Sequence, residues 1–274
     1  MPDPDALRRL RDLCAGDGAR LDLLEAALAL SLLHGDPPPD LAPFRQHVAA
    51  MVADTADLVR RRGASVESLG EVIARSYAYR GDTESYDDLR NADLVHVVER
   101  RKGLPVALSI LYLHVARGQG WEAEGLAFPG HFLIRVAIDG ARHVVDPFHG
   151  GVERDAPHLR NLLRQVLGPE AELAPQHFDP VSDRDVLLRL ENNVRLRLAK
   201  RDDWAGAAQS LERMLAIAPD RPELLFEAGE INARLDKHRA AIAAFDRFLA
   251  LGGGDPALRR RAATLLQELR RRLN

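Results

Sequence analysis

The sequence predicts an α+β core over residues 1–170, followed by an all-α domain of helical repeats over residues 185–274. Three observations carry this. Apolar residues recur at three- and four-residue spacing through the first hundred residues, as in amphipathic helices. Short β-rich segments separated by turn signals follow, over residues 123–148. Beyond residue 185 the helical pattern returns and repeats itself with a period of 34.

The amino-terminal helices come first. "LDLLEAALALSLL" is one, and "GDPPPD" (Gly35 to Asp40) breaks the chain after it, because proline removes donors and blocks helix continuation. "LAPFRQHVAAMVADTADLVRRR" is a second long helix. "SVESLGEVIARSYAY" is a third, with Ser65 as its N-cap. A polar loop, "RGDTESYDDLRNADL", leads to the helix "DLVHVVERR". The carboxylates of that loop lack the glycine-centred spacing of a calcium site. The helix from Pro105 to Arg117 is apolar almost throughout, so it is expected to be buried and central, with Gly118 and Gly120 ending it.

The pattern then changes. "AEGLAF", "HFLIRVAI" and "ARHVVDPF" read as antiparallel strands, punctuated by Pro129-Gly130 and Asp139-Gly140. A short helix and the connection "APQHFDPVSD" fill residues 154–184 and mark a domain boundary. In the last part, Trp204 and His238, Ala207 and Ala241, Leu211 and Phe245, Leu215 and Leu249, Pro222 and Pro256, and Leu190 and Leu224 are each 34 apart. That period, with small residues inside and proline at the seam, matches tetratricopeptide spacing. The final helix, "PALRRRAATLLQELRRRLN", carries a polar face suited to a solenoid cap.

Composition excludes several functions. The 274 residues are 46% hydrophobic and 29% charged, as in a globular protein, with a net charge of −3. No basic field draws nucleic acid or an anionic membrane, and 5% aromatics leave few base-stacking platforms. The longest apolar run is shorter than the about 20 residues a membrane span needs. One cysteine, Cys14, forms neither an internal disulfide nor a cysteine zinc site. With no apolar leader either, the expectation is a soluble bacterial protein of the cytoplasm.

His131 and Asp146 are the candidate site. In thiol enzymes a Cys opens a buried helix whose amino end favours the thiolate, a His on a neighbouring strand takes the proton, and an Asp on the next strand orients the His. Here a hairpin would set His131 and Asp146 side by side. "GLPVALSILYLHVARGQGWEAEG" resembles the transglutaminase-core segment, in the same broad class as the papain-like proteases, where Gly-x-Cys opens the helix. That resemblance puts the Cys position at Pro105, preceded by Gly103, and Cys14 lies too far upstream to replace it. "RGDTESYDDLRNADLVHVVERRKGLPVALSILYL", "FPGHFLIRV" and "VVDPFHGG" further resemble the SirB-one family, bacterial proteins with a transglutaminase-like core followed by tetratricopeptide repeats. The resemblance continues into "LLRLENNVRLRL" and covers most of the chain. It implies the fold and not the activity.

Pro105 is a sound helix start, since its missing N–H has no partner to lose there. Ser109, four residues on, is the alternative nucleophile. It lies about 6 Å from position 105, beyond the contact a base serving that position would make. Its ordinary role is a bond back to a helix carbonyl. His131, His143, Asp146 and His149 together suggest a metal set, but none is expected, because His143 and Asp146, three apart on a strand, face opposite ways and the ligand spacing is wanting. No cofactor is implied. The expected function is a non-catalytic module that binds an unidentified protein or peptide partner. The alternative is a hydrolase or acyltransferase using Ser109, His131 and Asp146, and a third possibility makes the repeats a structural cap.

Overall fold

The structure, a computed structural model, describes residues 4–16, 21–35, 38, 40–252 and 255–273. It falls into two compact units, Ala15–Leu190 and, together, Met1–Cys14 with Glu191–Asn274. The expected bounds, 1–170 and 185–274, differ from this division at two points. Helix α1 (Pro4–Cys14) buries one stripe, Ala6, Leu10 and Cys14, by packing on the repeat helix Trp204–Ile217. The helix Asp183–Lys200 runs without interruption across the division. The break expected at Gly35–Asp40 lies partly outside the described residues.

The core unit opens with α2 (Leu23–Ser31), capped by Asp22, and α3 (Ala42–Arg62), which ends on three arginines. The third expected helix takes a different form. A single turn, α4 (Glu67–Leu69), passes into a π-helix over Gly70–Ser76, and Tyr77 N–H reaches back five residues to Val72. Ser65 still caps this start, its hydroxyl accepting from Glu67 N–H at 3.2 Å, while Val66 holds the N-cap position. The polar loop contains β1 (Arg80–Gly81) and a 3₁₀ turn, Leu89–Ala92. Helix α5 (Leu94–Arg100) follows, then β2 (Lys102–Gly103), paired parallel with β1.

Next comes α6 (Pro105–Gly118), buried at every position from Pro105 to Leu113. A helix apolar all round must be enclosed on all sides, and α2, α3, α5 and the sheet surround it. Leu108, Ile110 and Leu111 are fully buried, each contributing about 1.5–3 kcal/mol.

The strands β3 (Glu122–Leu126), β4 (Ile134–Ile138) and β5 (Ala141–Asp146) form an antiparallel meander. It is extended by β6 (Val152–Glu153) beside β5 and, after helix α7 (Ala156–Leu167), by β7 (Pro180–Val181) beside β3. The order is β6-β5-β4-β3-β7. Leu159 and Leu163 of α7 cover this sheet together with Leu126, Phe128 and Leu133.

The repeat unit is built from the later part of α8 (Asp183–Lys200), then α9 (Trp204–Ile217), α10 (Pro222–Arg234), α11 (His238–Ala250) and α12 (Pro256–Leu273). The 34-residue pairs occupy equivalent places. Trp204 and His238 start α9 and α11, Pro222 and Pro256 start α10 and α12, and Ala207, Ala241, Leu211 and Phe245 are all buried. Phe226, Phe245 and Phe248 pack edge-on at the centre of this core. Among the described residues, no helix is long and apolar enough to cross a membrane.

Candidate functional site

The pair predicted from the sequence meets. His131 Nε2 lies 2.9 Å from Asp146 Oδ1. Asp146 ends β5, as expected, whereas His131 precedes its strand rather than starting it: β4 begins at Ile134. The Pro129-Gly130 turn, with Gly130 at φ +70°, holds His131 in that connection, and Arg189 donates to its carbonyl at 3.2 Å.

The segment "DPFHGG" organises the rest. Asp146 is the N-cap of a 3₁₀ turn, Pro147–His149, accepting from His149 N–H. Pro147 presets that turn. Phe148 places its ring edge-on to both His131 and His149, with centroids 6.1 and 5.2 Å away. A Cβ at Gly81 would lie 2.5 Å from this ring, so β1 approaches it only because it carries glycine there. His149 Nδ1 lies 2.8 Å from Asp146 Oδ2. Gly150 and Gly151, both left-handed, turn the chain back into β6, and a side chain at Gly151 would collide with Tyr112 of α6. Just past β6, Arg154 donates twice to Asp146 Oδ2, at 3.0 and 2.9 Å.

Asp146 is fully buried. Burial alone would raise its pKa. The hydrogen bond and charge of His131, then those of His149, outweigh it and hold the carboxyl well below the usual carboxylate range. Asp146 is therefore an anion whose oxygens both accept from several donors. Tyr112 of α6 is buried with its hydroxyl unpartnered among the described residues, and burial followed by the Asp146 charge pushes its pKa up.

Pro105 and Ser109 stand apart from this cluster in their bonding. Pro105 is the first residue of α6 and is buried. Ser109, also buried, donates its hydroxyl to the Pro105 carbonyl at 2.7 Å. That is the bond a helix serine ordinarily makes, and it leaves the Ser109 proton directed along the helix. Replacing Ser109 by Ala should shift urea-unfolding stability by no more than about 1 kcal/mol, since one modest intrahelical bond is lost. A larger loss would mean that the hydroxyl carries more than this bond. His143 pairs with Glu153 at 2.9 Å, outside the cluster, as strand alternation requires. Cys14 is buried at the end of α1 in the repeat unit.

Sequence reasoning weighed His149 together with His143 and declined the set on the strand alternation of His143 and on ligand spacing. The 3₁₀ turn after β5 is what returns His149 to Asp146. Arg154 was missed altogether; its one sequence signal is a basic residue eight positions after the Asp, across the Gly-Gly turn.

A buried central helix, a flanking antiparallel sheet and a His–Asp pair carried on a hairpin define a transglutaminase-like core, here followed by tetratricopeptide-type helices. Comparison with known families agrees: residues 42–192 match the transglutaminase-like superfamily and residues 194–270 the tetratricopeptide repeat. The chain belongs to the transglutaminase-like superfamily, and its bacterial relatives include proteins named UPF0162 and SirB1. A UPF0162 protein of Xylella fastidiosa is 35% identical over 67% of this chain and 66% of its own length. One from Vibrio cholerae is 29% identical over 90% of this chain and 92% of its own. Protein SirB1 of Salmonella typhimurium is 25% identical over 69% and 72%.

Proposed function

We propose that this protein is a cytoplasmic interaction module in which a non-catalytic transglutaminase-like core accompanies a partner-binding repeat domain. The single observation that carries the reading is Pro105. It starts α6, buried, at the position where the family resemblance calls for a thiol, and proline offers no nucleophile. The hydrolase or acyltransferase alternative needs the Ser109 hydroxyl facing His131, and that hydroxyl is bonded to Pro105 instead.

The repeats supply a surface for the binding role. Ala205 and Gln209 on α9, and Arg239 and Ala243 on α11, are exposed at equivalent places 34 residues apart. Successive first helices thus present one register of solvent-facing side chains, the arrangement by which stacked helical repeats recognise peptides. A protein or peptide partner suits this face, and its mixed, weakly charged character gives no reason to invoke nucleic acid.

The test uses the tagged full-length chain to capture a partner, whose affinity is then measured for the Gln209→Arg, Ala243→Glu double variant. Affinity should fall at least about tenfold, or ~1.4 kcal/mol. A Glu170→Ala control, on the exposed end of the α7 connection, should bind like the parent. A panel of acyl-ester and amide substrates provides the opposing result: turnover abolished by His131→Ala would defeat the non-catalytic reading.

A further inference from the structure

We propose that His131, Asp146 and His149 form a binding site for a divalent transition-metal ion, with Zn²⁺ the ion their chemistry suits. A ring nitrogen of each histidine and a carboxylate oxygen of Asp146 lie within 4.8 Å of one another. Among the described residues, this is the one group of three or more metal-ligating side chains so placed. Two imidazoles and one carboxylate are a donor set that zinc accepts, and its filled d shell tolerates irregular geometry.

The surroundings favour a site over a closed ion-pair knot. Arg154 bonds Asp146 only through Oδ2. Oδ1 receives one histidine nitrogen and one backbone N–H. Oδ1 is therefore the oxygen available to a metal, while Arg154 remains on Oδ2 and orients the carboxylate from behind, as outer partners of metal ligands do. The buried anion supplies the negative charge a divalent cation needs. His131 is largely buried and fixed, with Phe148 against its ring and Arg189 on its carbonyl. His149 keeps 48% of its side chain exposed, so its ring can turn inward and the ion would keep a face open to water. The exposed pairs His143–Glu153 and His158–Asp155 have two members each and no buried anion.

Binding exchanges the two histidine–Asp146 hydrogen bonds for two nitrogen–metal bonds, and each displaced proton moves to the other nitrogen of its ring. No oxidant or reductant enters. The expectation that no metal binds rested on strand alternation, which concerns His143, and on ligand spacing along the sequence, which the 3₁₀ turn carrying His149 overrides. The inference is independent of the partner-binding reading, because its test reads the ion directly.

The experiment titrates chelator-stripped, full-length protein with ZnCl₂ in an isothermal calorimeter. One site per chain is expected. His131→Gln, His149→Gln and Asp146→Asn, each removing a ligand, should each weaken binding at least about tenfold, no less than the loss of an outer partner costs. His158→Gln should leave the affinity unchanged. Asp146 is buried, and its variant is read only alongside a native circular-dichroism spectrum; His149, on an exposed turn, gives the decisive variant. Co²⁺ provides a second readout, a visible absorption band lost in His149→Gln. Absence of a one-to-one site, or full-strength binding in His149→Gln, would overturn the proposal.

Discussion

Replacing Asp146 by Ala is expected to destabilise the chain by about 3–5 kcal/mol in urea unfolding. Three side chains lose their acceptor at once. Arg154, with only 18% of its side chain exposed, loses the carboxylate it donates to twice, and His131 and His149 each lose a hydrogen bond. Removing the buried partner of a largely enclosed cation costs more than the original pair contributed, because much of the desolvation penalty remains after the attraction has gone. Asp146→Asn keeps the shape and one acceptor oxygen, so its loss should be smaller than that of the alanine variant. A loss under about 1 kcal/mol for Asp146→Ala would mean that Arg154 relaxes to solvent and that the cluster is not structural.

The second large effect belongs to the repeat unit. Glu191 is fully buried and accepts from Arg213 Nε at 2.7 Å, and Ser210 donates to its backbone carbonyl at 3.2 Å. Glu191→Ala should cost about 3–5 kcal/mol, because the buried Arg213 guanidinium loses the carboxylate it donates to. The double variant Glu191→Leu, Arg213→Met should recover most of this, since an apolar pair of similar volume removes the desolvation penalty together with the attraction. Failure of the double variant to recover would show that further bonds of these two residues, and not the mutual pair, carry the stability. Denaturant curves for the three variants decide it, with unchanged m-values as the check that unfolding remains two-state.

These two residues mark where sequence reasoning succeeds and where it stops. Local signals sufficed for α6, whose apolar run announces burial, and for Asp146, placed at a strand end by the Asp139-Gly140 hairpin turn. The 34-residue register carried the repeat helices because each repeats the same burial pattern. Arg154 and Glu191 had no such signal. Each is an ordinary charged residue whose meaning comes from a partner met only after strands or helices pair. The parallel pairing of Arg80–Gly81 with Lys102–Gly103 is similarly hidden, since two residues are too few to show a period. The π-helix at Gly70–Ser76 depends on contact as well: Gly70 passes so close to the Gly150 carbonyl that a Cβ would sit 2.7 Å from it. Ser109 was legible because its bond is made within a single helical turn.

The position of Cys14 has a use beyond the exclusion of a nucleophile. It is the chain's one thiol, and it is buried where α1 meets α9. Its rate of reaction with a water-soluble alkylating reagent therefore reports how often that seam opens, on the native protein and without any label. Of the two tryptophans, Trp204 starts α9 itself, whereas Trp121 lies in the core unit. Thiol trapping, and Trp121 fluorescence read in a Trp204→Phe variant, thus time two different events: the parting of α1 from α9, and the cooperative loss of the core unit.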